Sequence, residues 1–148
     1  MSRLSMNISF KNFMTPNEAE DPPIISITSV DNAYYNAYYT LLMIDLDAPS
    51  KISRVYSPWL HWLVINIPGK DLKIGKINKG ITIAEYSGPT PPKGSGNHEY
   101  KILLFKQDVL INPKIKNNIK FRNNFSIDSV IQSNILHLVS TKSFLSAS

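Results

Sequence analysis

Two apolar stretches dominate this chain, residues 38–46 and 62–67, and prolines soon close them off, Pro49 after the first and Pro68 after the second. Both are nearly continuous in Ile, Leu, Val and aromatic residues, without the polar alternation of a half-exposed strand. That is the pattern of strands buried on both faces. Around them lie other short runs. Residues 24–30 alternate, with Ile25 and Ile27 on one face and Ser26 and Thr28 near the other; residues 81–86, 100–105 and 137–144 are further strand candidates. Pro22-Pro23, Pro68-Gly69, Gly75, Gly80 and the Gly/Pro-rich stretch 88–96 punctuate them. Short strands between such breakers predict an all-β sandwich or barrel. One segment reads otherwise: Ile127, Val130, Ile131 and Ile135 follow helical spacing, with Ser126 as the expected N-cap and Asp128 in the first turn.

The 148 residues predict one domain, 1–148, and 43% hydrophobic against 18% charged residues is enough apolar material for a core. No run approaches the ~20 residues that span a bilayer. Residues 1–15 lack the apolar stretch of a secretory signal, so the expectation is a soluble cytoplasmic protein. The absence of cysteine excludes a disulfide scaffold, a thiolate zinc site and a cysteine nucleophile. The net charge of +5 favours anionic partners in general. The lysines are scattered (Lys70, Lys73, Lys76, Lys79, Lys114, Lys116, Lys120) rather than set in a nucleic-acid motif. A solvated basic surface is the expectation, with nucleic acid not a partner and contact with an anionic membrane surface left open.

Three segments carry the chemistry. In Asp45-Leu46-Asp47-Ala48-Pro49-Ser50, two carboxylates at i and i+2 leave a buried strand on one face. Like charges so close need cations or hydrogen-bond donors. The other reading is a turn in which Asp caps backbone amides. In Ser57-Pro58-Trp59-Leu60-His61-Trp62, His61 stands where the chain enters the core, as a structural or a functional residue, and Ser57–Pro58 is a cis-peptide candidate. The third segment runs from Glu85 through Gly88-Pro89-Thr90-Pro91-Pro92-Lys93-Gly94-Ser95-Gly96-Asn97-His98-Glu99-Tyr100. Alternation puts His98 and Tyr100 on one face and Glu99 and Lys101 on the other. It is not a P-loop, because Lys93 precedes Gly94. Gly-X-Ser-X-Gly, His-Glu-X-X-His and dinucleotide fingerprints are absent. No local spacing supports a metal site, and no nucleophile elbow supports a hydrolase.

Together and in this order, these segments resemble the phosphatidylethanolamine-binding protein family, which includes the Raf kinase inhibitor proteins. The strong part covers residues 38–107, with weaker similarity at Thr15-Pro16 and residues 122–125. The resemblance implies an antiparallel β-sandwich with one or two short helices and a small anion pocket at one end of the sheet. It assigns ligand-binding roles to Asp45, Asp47, Pro49, His61, Gly88, Pro91, His98 and Tyr100, and matches Ser57–Pro58 to a place where the family has a cis peptide. It implies a phosphate-bearing ligand, a phospholipid head group or phosphorylated peptide, with no cofactor, no metal and no catalytic residue. The alternative is a regulator of a kinase or serine protease in which the pocket is a switch or a remnant. Leu46, Leu60, Glu99 and Thr90 depart from residues common in the family, and the C-terminal helix of longer members is expected to be missing.

Overall fold

The computed structural model describes residues 4–148. Among them, seven strands form two antiparallel sheets. Strands β1 (Leu4–Ile8) and β2 (Ile25–Ser29) pair as a two-stranded sheet. Strands β3 (Tyr38–Asp45), β4 (Trp59–Pro68), β5 (Ile81–Ala84), β6 (His98–Gln107) and β7 (Leu136–Ser146) form the larger sheet, in the order β5-β4-β3-β6-β7.

The two continuous apolar runs became β3 and β4, well inside this sheet, because both sheet faces are covered. On one face, Leu4, Met6, Ile25 and Ile27 of the small sheet pack against Tyr39, Leu41, Met43, Trp62, Val64, Tyr100 and Ile102. This is the sandwich predicted above. On the other face, Leu42, Leu60, Leu63, Ile65 and Ile83 meet Ile111, Phe125, Val130 and Ile131, which come from an irregular layer. Each such side chain withdrawn from water contributes about 1.5–3 kcal/mol. The alternation of 24–30 also holds, with Ile25 and Ile27 buried toward the small interface. Among the described residues, no helix is long and apolar enough to cross a membrane.

The predicted helix over 126–135 is corrected. The segment forms two single 3-10 turns, Ile127–Ser129 and Ser133–Ile135. Ser126 does precede the first, but its side chain caps nothing; instead the Ser129 hydroxyl donates to the Ser126 carbonyl at 2.6 Å. Local side-chain bonds of this kind compete with helix propagation, and so short a helix has little stability of its own. Val130 and Ile131 are buried against the sheet without one. The α-helical segment present, α1 (Gly69–Leu72), has four residues. Strand β1 is an element the sequence reading passed over, although Leu4 and Met6 alternate with Ser5 and Asn7.

Candidate functional site

The site gathers at the end of the large sheet where β3 stops, β4 starts and β6 starts. Register decides which side chains meet there. Tyr100 lies opposite Asp45, and Trp59 lies opposite Asp45 on the other side. Cross-strand partners share a face, so all three face the small-sheet side.

His61 reaches the same face through an irregularity. Met43 pairs with Trp62, but Ile44 pairs with Leu60, so β4 carries one extra residue there, His61. Strict alternation from Leu63 would send His61 into the irregular layer, where Leu60 and Leu63 in fact sit. The bulge turns it back: the His61 ring lies edge-on to Tyr100, with centroids 5.2 Å apart at 81°. Bulges commonly re-aim a side chain in this way beside functional sites. Leaving the ladder also frees the His61 carbonyl, which accepts from Ser87 N–H at 2.9 Å, while His61 Nδ1 donates to the Ser87 carbonyl at 2.6 Å. A carbonyl only accepts, so Nδ1 carries the hydrogen and Nε2 is left as a lone pair. Burial, first of all, pushes the imidazole below its ordinary value; Ser87 and Asp45 oppose this, while Arg122 and His98 add to it. Arg122 anchors the same strand end, accepting from Leu60 N–H and donating to the Leu60 and Glu85 carbonyls.

Asp45, Pro49, His61 and His98 line a cavity of about 190 Å³, closed by Ala48, Tyr56, Trp59, Thr90 and Pro92. Tyr100 lies beside it rather than on its wall, stacked between His98 (6.3 Å) and Phe144 (5.1 Å). Its hydroxyl is buried and, among the described residues, makes no hydrogen bond of standard geometry, with the Asp45 carboxylate as its polar neighbour. Burial, then the Asp45 and Asp47 carboxylates, push that phenol well above the usual range.

Other residues have different roles. Asp47 does not reach the cavity, because β3 ends at Asp45 and the i, i+2 argument ends with it. The buried Asp47 carboxylate instead accepts from Arg54 at 3.0 Å and from the Glu99 N–H at 2.8 Å. The two carboxylates are compensated separately: Asp45 takes the Asp47 N–H at 2.8 Å and His98 Nδ1 at 2.7 Å. Gly88 and Pro91 are also off the wall. A side chain at Gly88 would press on the Ala19 carbonyl at 2.7 Å, so this glycine permits close approach of the 15–20 segment, and Pro91 is buried. The Ser57–Pro58 bond is cis, as is Ala48–Pro49, which the sequence reading did not single out. His98 has both nitrogens engaged, Nδ1 by Asp45 and Nε2 by Ser95 Oγ at 2.9 Å. Tyr56, Trp59, Pro92, Ser87 and Ser95 were missed as site residues. Only Ser95, between two glycines and three residues before His98, left a local trace.

Fold and site thus define a β-sandwich protein with two histidines and a buried carboxylate around a small cavity at one end of its sheet. A profile described as phosphatidylethanolamine-binding protein matches residues 5–142, and the chain belongs to that family. It is 50% identical over 76 residues to a Drosophila melanogaster protein named putative odorant-binding protein A5. That match covers 51% of this chain and 34% of the fly protein, so the chain matches about a third of that relative's length. The carboxypeptidase Y inhibitor, solved in complex with its cognate proteinase, superimposes with a TM-score of 0.79 at 25% identity, over 99% of this chain and 84% of that one. The phosphatidylethanolamine-binding protein of Plasmodium vivax gives a TM-score of 0.72 at 26% identity, over 97% and 85%.

Proposed function

We propose that the cavity binds a phosphate-bearing ligand, such as a phospholipid head group or a phosphorylated peptide, without turning it over. One observation carries this reading: His61 is locked by Ser87 through Nδ1, which leaves Nε2 as its binding atom on the cavity wall. The Tyr100 ring supports it by packing edge-on to His61 and stacking on His98, which holds both imidazoles at the cavity. His98 supports the site indirectly, because its nitrogens are engaged. Asp45 orients His98 and stands ready for an ammonium group on the ligand.

A bare Nε2 repels an anionic oxygen. Binding therefore draws in a proton, either onto His61 or as the P–OH of a phosphate monoester, whose second pKa is about 6. The ligand anion raises the lowered His61 value, so affinity increases as pH falls below the ordinary imidazole value of 6.5. Phosphorylethanolamine titrated by NMR at about pH 5.5 and about pH 7.5, on either side of that range, should move the His61 ring resonances, more strongly at the lower pH. Silence of His61 at both would sink the reading.

A second reading is that a surface of the fold regulates a protease, with a kinase as the other candidate partner. The likeness to the carboxypeptidase Y inhibitor along nearly the whole chain favours the protease. Inhibition of carboxypeptidase Y is the assay. If His61→Gln abolishes phosphorylethanolamine binding but leaves inhibition intact, the surface is the function and the cavity a remnant.

A further inference from the structure

One side of the cavity wall is aromatic and apolar, and phosphate binding leaves it unused. Trp59 is the cross-strand partner of Asp45, so the indole and the carboxylate share one face. Tyr56 stands beside Trp59: the two rings lie 6.5 Å apart, close to perpendicular at 70°, and both line the cavity. Ala48, Pro49 and Pro92 complete this side. Backbone hydrogen bonds hold the corner from two directions. The Tyr56 N–H donates to the Ala48 carbonyl at 3.1 Å, and the Tyr56 carbonyl accepts from the Asn124 N–H at 3.0 Å. Asn124 Nδ2 also donates to the Val55 and Ser57 carbonyls, at 2.9 and 3.1 Å. Tyr56 is 48% exposed, so its ring is held in place at the rim rather than packed into the core.

Asp45 brings negative charge to the cavity but few free acceptors. Its Oδ1 accepts the Asp47 N–H, and its Oδ2 faces His98 Nδ1. Both His98 nitrogens are engaged, and His61 Nε2 serves the phosphate. That leaves the hydroxyls of Thr90 and Tyr56, both exposed, as side-chain acceptors on the wall. A primary ammonium brings three N–H donors that must find acceptors. A trimethylammonium group brings none. It is stabilised instead by nearby negative charge and by aromatic faces within about 6 Å.

We propose that this cavity selects a phosphocholine group, a phosphate joined to a quaternary ammonium, over phosphoethanolamine. The inference rests on the phosphate reading of the same cavity. The phosphate faces His61 Nε2, and the trimethylammonium packs into the Tyr56–Trp59 corner, with the Asp45 carboxylate beside it. The Asp45 charge attracts either ammonium. The aromatic corner and the shortage of acceptors tell them apart: methyl groups meet ring faces and proline carbons, where N–H donors would go unpaired.

Phosphorylcholine and phosphorylethanolamine share the phosphate and differ only at the ammonium, so titrating both into the full chain at one pH isolates the ammonium. Phosphorylcholine should bind about tenfold more tightly. It should also shift the Trp59 indole resonance together with the His61 ring. Tyr56→Leu keeps an apolar wall but removes one ring, and should bring the two affinities to within about twofold of each other. Glycerophosphocholine and glycerophosphoethanolamine separate the sources. The same preference between these diesters marks a lipid head group; a preference confined to the monoesters marks a free phosphocholine. Either result upholds the proposal. Equal or weaker binding of phosphorylcholine overturns it, whether or not Tyr56→Leu folds, while the phosphate reading survives as long as phosphorylethanolamine moves His61. If neither compound moves His61, both readings fall.

Discussion

His61 and Tyr100 set the chemistry at the scale of single residues. His61 is disfavoured as a cation in the folded protein, while in the unfolded chain it titrates near 6.5. As pH falls below that value the unfolded chain takes up a proton that the native state refuses. Stability therefore drops across the window from 6.5 down to the lowered native value and is level below it. His61→Gln should flatten this part of the stability–pH curve, as urea midpoints across that range would show. Tyr100 offers a sharper contrast. A buried hydroxyl without a hydrogen bond of standard geometry costs about 1–3 kcal/mol, so Tyr100→Phe should hold or raise the thermal midpoint. The same change should weaken phosphorylethanolamine binding, because it removes a donor beside the two histidines. A fall in both stability and affinity would show that the hydroxyl is a structural partner instead.

Elements decide which way these residues face. The β4 bulge is the clearest case: His61 was legible as a site residue in Trp59-Leu60-His61-Trp62, but alternation assigns it to the wrong face. Only the pairing of Met43 with Trp62 and of Ile44 with Leu60 exposes the extra residue. Asp47 fails in the opposite sense. Its spacing from Asp45 placed both on one face, yet the strand stops first and Asp47 turns to Arg54 and the Glu99 amide. The 87–91 loop is positioned by contact with the N-terminal segment, through Gly88 against Ala19 and the Tyr86 hydroxyl donating to the Ala19 carbonyl at 2.6 Å. Gly88→Ala must push these backbones apart, and overpacking of this kind costs about 1–3 kcal/mol. A lower denaturant midpoint, with weakened ligand response at His61 through the displaced Ser87, is the expected result.

At the scale of the whole molecule, one sheet serves two cores, and the site lies at an edge both depend on. The small sheet covers one face, and the 3-10 turns and loops after β6 cover the other. The irregular layer is not decoration: Phe125 is buried against the sheet, and its N–H donates to the Pro58 carbonyl at 2.8 Å, just before His61's strand begins. Phe125→Ala should lower stability by about 3–5 kcal/mol, measured by urea unfolding. It should also loosen the cavity wall at Trp59, visible in its indole resonance.

Residue patterns alone determined that the chain makes strands, that two of them are buried on both faces, and which three segments carry polar chemistry. These follow from local preference and side-chain periodicity, which each stretch carries within itself. Only the tertiary structure decided that residues 126–135 stay as turns, that His61 joins Tyr100 and His98, that Asp47 leaves the cavity, and that Tyr56 and Trp59 form a corner beside Asp45. Those outcomes depend on register and on contacts between segments far apart in the chain. A one-residue offset between strands reverses which face a side chain takes, and no local pattern records the offset.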